Sequence, residues 1–475
     1  MAAKKSNKRA VKKVAKAARR HPKAAIAVVV ILVVLIAVGA VLYLKVDKVH
    51  DAVNELINKQ TASTDVASTS EQSGGSGTSG LDGTQQGGTS QPGQGQASSS
   101  GDQGGPADVN QEQSDSDPNG QSNASDPNQE QGGSTPPKAT TYGDKDLSFH
   151  FLELGNNYTG DSTYIKAGDV DILIDAGSRQ NSAATIAAYV DKYCTDGKLE
   201  YVIATHAHQD HIAGFTNTSK NLGIFARYEC ETIIDFALTN ATTAVYNNYV
   251  TARDAEVAAG AKHYTALQCV KETDGAQKTY ELGEGMSMTI LYQQFYEQTT
   301  RDENDYSVCV LFNHGDNYYL LTGDLEAAGE ASLVESNALP EVQLFKAGHH
   351  GSFTASTDTL LSVIKPKIVC VCCCCGAVEY TQDPSNTFPS QAFVTRVAPY
   401  TDKVYVTTIG TVAYNDTKGK YEDVGFASMN GNITVLSSGG TVTVTCSNND
   451  TVLKDTAWFK ANRTCPAEWQ TAPPG

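Results

Sequence analysis

Basic charge is scarce in this chain, and long apolar runs are scarcer. Of 475 residues, 36 are Lys or Arg and 53 are Asp or Glu, a net charge of −17. Residues 145–475 alone hold 22 basic and 39 acidic residues. Charge of that sign does not attract a phosphate polymer at long range, which argues against a tight, nonspecific nucleic-acid binder. Only one run is long enough to cross a bilayer, so the sequence offers no multi-span region to form a pore. No repeat of solenoid period occurs. The cysteines lack the two separate CxxC pairs that close a cysteine zinc site.

The single apolar run is Ala24 to Leu44, 21 residues without a charge. At about 1.5 Å per residue it spans a bilayer as a helix. Residues 1–23 before it carry ten Lys or Arg and no acidic residue, which predicts a cytoplasmic N-terminus and places everything after Leu44 outside. A cleaved signal peptide is the alternative, with Val38-Gly39-Ala40 as the small-residue cut site, but the run exceeds a usual signal h-region. Residues 45–144 form a polar linker. After a short polar helix to about Lys59 it is Gly, Ser, Gln, Thr, Asn, Asp and Pro with almost no large apolar residue. Such a segment buries too little surface to offset its ordering entropy. As a coil of about 80 residues it spans on the order of 50 Å. The expectation is a single-pass cell-membrane protein with an extracellular domain over 145–446 and a C-terminal extension over 447–475.

Within that domain, apolar runs at 147–154, 170–175, 201–204, 231–236, 286–292, 307–312, 317–322, 342–347, 368–374, 403–408, 432–436 and 441–446 predict strands. Helical patterns lie at about 182–194, 241–260, 325–337, 355–364 and 390–398. Asn313-His314-Gly315-Asp316 reads as a hairpin turn. Five of the eleven cysteines sit in Cys370-Val371-Cys372-Cys373-Cys374-Cys375, where they read as small hydrophobes of a core strand. An outside location permits disulfides, and Cys446 with Cys465 is a pair able to close a C-terminal loop.

The densest chemistry is Thr205-His-Ala-His-Gln-Asp-His-Ile-Ala-Gly214. It follows a buried strand, and strand ends are where α/β sheets place ligands. His206, His208, Asp210 and His211 are all zinc-type ligands within six positions. Two further strands end in Gly323-Asp324 and in His349-His350.

HxHxDH, then LLTGDLE at 320–326, then LFKAGHHGS at 344–352, resembles the metallo-β-lactamase superfamily in chain order. Within it, the chain is similar to the extracellular domain of the competence protein ComEC and to the phosphorylcholine esterases. Phe149 to Gly155, Gly160-Asp161-Ser162, Val170 to Gly177 and Asn304-Asp305-Tyr306-Ser307 support that resemblance, with an insertion at Asn156 to Thr159. It implies an α/β (α+β) fold, the αββα sandwich of two mixed sheets with helices outside. It also implies two divalent ions, zinc with manganese as the alternative. His206 and His208 would hold the first, Asp210 and His211 the second, and Asp324 would bridge them. One of His349 and His350 completes the second site, His350 being the preferred reading, with His349 then touching the leaving group or phosphate. Asp175 orients a ligand histidine. Ser352 either meets bound phosphate or caps the following helix, and capping is the stronger reading.

Two features depart from the pattern. No histidine other than His263 and His314 lies between HxHxDH and Asp324, and both read as surface residues, so the first ion has fewer protein ligands. The turn expected to read YGHP is Asn386-Thr387-Phe388-Pro389, with Phe388 in place of the histidine. The functional expectation is a membrane-anchored hydrolase of phosphate esters, acting through a hydroxide bridging the two ions. DNA and wall polymers are its candidate substrates. A teichoic-acid phosphorylcholine esterase-like enzyme, a lactone or lactam hydrolase, and a non-catalytic DNA-uptake accessory are the alternatives.

Overall fold

The computed structural model describes residues 142–470. The basic segment, the 24–44 run, the linker up to residue 141 and the last five residues lie outside it. Among the described residues no helix is long and apolar enough to cross a membrane.

Sixteen strands form two eight-stranded mixed sheets. The first sheet begins with β1 (Leu147–Phe151), β2 (Thr163–Ala167), β3 (Val170–Ile174), β4 (Lys198–Ile203), β5 (Glu229–Asp235) and β6 (Lys262–Thr265). The second contains β7 (Thr279–Gly283), β8 (Met286–Leu291), β9 (Cys309–His314), β10 (Asn317–Leu321), β11 (Leu344–Lys346), β12 (Ile368–Cys375), β13 (Val404–Asn415) and β14 (Lys420–Ser428). The chain then returns to the first sheet with β15 (Ile433–Ser438) and β16 (Thr441–Cys446). Spatial order is β16-β15-β1-β2-β3-β4-β5-β6 in one sheet and β14-β13-β12-β11-β10-β9-β8-β7 in the other.

The inner faces meet over a shared apolar core. Phe149 of β1 packs on Phe312 of β9 and Tyr319 of β10 at ring separations of 5.3 and 4.8 Å. Helices Ser182–Val190 and Ala244–Ala259 accompany the first sheet, and Ala327–Ser336, Asp358–Ile364 and Gln391–Val397 the second. Two sheets inside and helices outside give a mixed α/β sandwich. All five expected helices and all twelve expected strands occur, at shifted ends. Asn313 to Asp316 turns between β9 and β10, with Gly315 at φ +61°.

Strand direction positions the chemistry. β3, β4, β5 and β6 run parallel, as do β10, β11, β12 and β13. Parallel neighbours need crossovers, and the helices above supply all but the β4–β5 link, which runs through the short helices Gln209–Ile212 and Ile224–Arg227. Asp175 follows β3, His206 follows β4, Asp324 follows β10 and His350 follows β11, so all four sit past C-terminal strand ends.

The cysteine run is β12. All its residues are buried, with Cys370 and Cys372 toward the inter-sheet core and Cys373 and Cys375 toward the outer helices. All eleven cysteines are unpaired thiols, so the loop closure open to Cys446 and Cys465 is absent. The segment after β16 docks on the second sheet: Phe459 stacks near Trp469 at 5.6 Å, and Trp469 Nε1 donates to Thr401 O at 2.9 Å.

Candidate metal centre

Backbone geometry aims the side chains first. Asp175, His349 and His350 hold φ of +59°, +45° and +54°. Non-glycine residues adopt this region at a cost, and such strain collects at functional sites. Gly160 passes so close to the metal-motif backbone that a Cβ there would meet Asp210 O at 2.7 Å. The next residue, Asp161, donates its N–H to that same carbonyl at 3.0 Å, which ties Asp161 to the short helix Gln209–Ile212.

The buried centre is then assembled from both sheets. His211 Nδ1 donates to Asp175 Oδ2 at 2.8 Å, and Asp175 is itself held by Thr205 N and Thr205 Oγ1, each at 2.8 Å. That arrangement fixes the ring and turns His211 Nε2 toward Asp324 Oδ2, 3.1 Å away. His350 Nδ1 donates to Cys372 O at 2.8 Å, and its Nε2 faces Asp324 Oδ2 at 3.1 Å and Asp210 Oδ2 at 3.3 Å. His206 Nε2 lies 3.0 Å from His208 Nδ1, and the His206 ring lies 4.1 Å from that of His211. Ser307 Oγ accepts from Asp324 N at 3.1 Å and lies 3.4 Å from His206 Nδ1, so the NDYS segment links the two groups.

Ligand atoms of Asp161, His211, Asp324 and His350, all buried, lie within 4.8 Å of one another. Asp161 was not among the expected ligands, although its Gly-Asp-Ser motif was noted. Lys346 was also missed. It is fully buried, forms an ion pair with Asp161, and lies 3.4 Å from Asp324 Oδ1. A lysine inside the otherwise apolar β11 is the signal that marks it. His349 lies at the edge of the centre. Its Nδ1 donates to Glu326 Oε1 at 2.9 Å, and its ring stands 5.9 Å from that of His350. Ser352 is expected to cap the following helix and does not: that helix begins after Thr357, and Ser352 Oγ instead accepts from Thr354 N at 3.2 Å. Thr354 Oγ1 donates to Glu326 at 2.7 Å, so Ser352 reaches the site only through the His349 support. His263 pairs with Asp235 at 2.8 Å, and His314 meets Ser437 Oγ at 2.9 Å, so both are engaged elsewhere.

Electrostatics match a cation site. Burial would push His211 and His350 down, but Asp324 with Asp175, and Asp324 with Asp161, outweigh it and hold both well above the usual histidine range. Burial, with His211 and His208 nearby, holds His206 well below that range. Against its own burial, His350 and His211 keep Asp210 well below the usual carboxylate range. Asp161, Asp175, Asp210 and Asp324 thus crowd a space lined by Lys346 and by two imidazoles whose protonated forms those carboxylates favour. Divalent ions replace such protons when ligands bind them. One atom tests the fit directly: His350 Nε2 is buried and makes no aligned hydrogen bond. Imidazole nitrogen and carboxylate oxygen around that atom suit zinc, manganese or iron.

Residues 155–223 match the family model of the metallo-beta-lactamase superfamily. This segment, which holds the HxHxDH motif, is therefore similar to that superfamily. The chain is also 36% identical over 72 residues to "Recombination protein 2" of Haemophilus influenzae, a match covering 15% of this chain and 9% of that protein. The metallo-beta-lactamase fold protein YhfI from Bacillus subtilis aligns at 11% identity over 55% of this chain and 95% of its own, with a TM-score of 0.31. CmlA, a diiron beta-hydroxylase from Streptomyces venezuelae, aligns at 13% identity over 54% of this chain and 48% of its own, with a TM-score of 0.28.

Proposed function

We infer that this chain is a metal-dependent hydrolase of phosphate esters, held outside the cell membrane by the 24–44 run. The observation that carries the reading is the convergence of Asp210 Oδ2, Asp324 Oδ2 and the unbonded His350 Nε2 on one buried point, with His211 Nε2 beside Asp324. Asp210, His211, Asp324 and His350 would hold one ion, with Asp161 alongside, and His206 and His208 a second. Zinc is the expected metal and manganese the alternative. When bound, such ions supply Lewis-acid polarisation and a water nucleophile at neutral pH.

The chain's own groups do the rest. Asp175 keeps His211 in one tautomer and one orientation. Glu326 does the same for His349, whose Nε2 remains to exchange a proton with the leaving oxygen as the ester bond breaks. Lys346 keeps two carboxylates ionised and in place.

Among phosphate esters, the acidic balance of the domain favours a zwitterionic diester, such as a choline-bearing wall polymer, over nucleic acid. Tyr380, exposed and in contact with Asp210, offers a ring face that attracts a quaternary ammonium. The test uses the full chain, stripped of metal and reloaded with zinc or manganese, on a chromogenic phosphodiester, on choline-bearing wall polymer and on DNA. Metal-dependent turnover that Asp324→Asn abolishes supports the reading. Metal binding without turnover of any of the three would overturn it.

A further inference from the structure

The centre is enclosed on most sides. Asp175 and Thr205 stand behind His211, Lys346 and Asp161 lie beside Asp324, and Phe388 covers both histidines of the HHGS turn at ring separations of 5.7 and 5.8 Å. Three partly exposed polar side chains mark the solvent side: His208, His349 and Tyr380. Tyr380 differs from the other two. Its residue is 49% exposed, yet its hydroxyl points inward and donates to Asp210 Oδ2 at 2.7 Å. Asp210 Oδ2 is one of the oxygens facing His350 Nε2, so the phenol sits at the open edge of the ligand cluster.

The segment that carries Tyr380 is fixed in place. The Tyr380 ring leans on Phe388 at 5.5 Å. Its neighbour Glu379 pairs with Arg179 at 2.9 Å and accepts from Thr159 N at 3.0 Å. Arg179 in turn covers the Tyr158 ring at 3.8 Å. The 156–159 insertion and the turn after β12 are thereby tied into one rim that fixes the phenol ring, leaving only the O–H to rotate when charge arrives.

We propose that Tyr380 contacts the substrate directly, its hydroxyl turning its one proton from Asp210 Oδ2 to an anionic oxygen of the bound phosphate ester. With cations among Asp210, Asp324 and the histidines, the substrate's anionic oxygen enters from the open side and meets the phenol there. The donor adds to charge stabilisation at that open edge. The proposal rests on the phosphate-ester reading for its substrate class.

The experiment compares the full-length, metal-loaded wild type with Tyr380→Phe. Metal content, thermal midpoint, turnover of a chromogenic phosphodiester and binding of inorganic phosphate by calorimetry are measured on both. Expected are unchanged metal content and midpoint, kcat lower by about 10²-fold, and phosphate binding at least ten-fold weaker. Unchanged phosphate binding would overturn the proposal. Loss of metal in Tyr380→Phe would also overturn it, showing that the hydroxyl only positions Asp210. If the wild type turns over no ester, the phosphate-ester reading fails by itself, while the phosphate comparison still decides Tyr380. A wild type that binds metal but no phosphate would sink both.

Discussion

Lys346 brings a full positive charge into a space with almost no solvent. Its side chain is 3% exposed, and it faces Asp161 and Asp324. Burial alone would lower its pKa, but the two carboxylates raise it well above the usual lysine value. Removing one partner of such a group leaves uncompensated buried charge, at about 3–5 kcal/mol. Lys346→Met is therefore expected to lose that much stability in denaturant titration of the metal-free chain. A loss below ~1 kcal/mol would show that water, not Lys346, balances the carboxylates. Sequence reading found His206, His208, Asp210 and His211 because they are contiguous. Asp161 and Lys346 lie far from them in the chain, and only the sheet order joins them. Tyr380 has no motif around it, and its position at the centre follows from the turn after β12.

At the scale of elements, the expected strands were those with continuous apolar runs. The four that escaped notice, β2, β6, β7 and β14, lack such runs. β6, β7 and β14 are sheet edges with one or both faces in water, so they need no apolar run. β2 is interior, but it carries Lys166, which pairs with Asp171 of β3 at 2.9 Å and interrupts the pattern. β1 has a pH signature of its own. His150 is buried against Tyr189 and Ser148, and burial pushes its pKa from 6.5 down to about 3. The unfolded chain takes up this proton below about pH 6.5 and the folded chain does not. Its contribution is therefore complete above pH 6.5 and is lost as pH falls toward 3, at up to ~1.4 kcal/mol per pH unit. His150→Asn should flatten the stability slope between pH 6 and 4.5 by about 1 kcal/mol per unit; an unchanged slope would mean that the buried ring accepts the proton.

The C-terminal segment braces the turn that holds Phe388. Arg463 donates to Pro389 O at 2.9 Å, Pro384 O at 2.8 Å and Thr387 O at 2.6 Å. Arg463→Ala leaves these carbonyls without their donor, at about 1–3 kcal/mol. The expected result is faster proteolytic nicking within 376–390 and reduced turnover at unchanged metal content. Nicking at the wild-type rate would show that the turn stands without the C-terminal segment.

For the whole molecule, the two ligand groups differ in completeness. Asp210, His211, Asp324 and His350 converge from both sheets, with Asp161 beside them, whereas His206 and His208 gain no further histidine. Zinc titration of the stripped protein should therefore be biphasic, with one tight and one weak step. Because metal binds only the folded centre, the tight step at 100-fold excess over its Kd should add about 2.7 kcal/mol of stability, removable with chelator. The charge balance was readable from composition; the enclosing of the centre by the two sheets was not, since it depends on where parallel strands end.

The most direct measurement is an anomalous-scattering map of zinc-loaded crystals of the full chain, beside the same map for Asp324→Asn. The account predicts a strong zinc peak among Asp210, His211, Asp324 and His350, a weaker one at His206 and His208, and loss of the strong peak in the variant. Zinc bound elsewhere, or no zinc at the point His350 Nε2 faces, would contradict it.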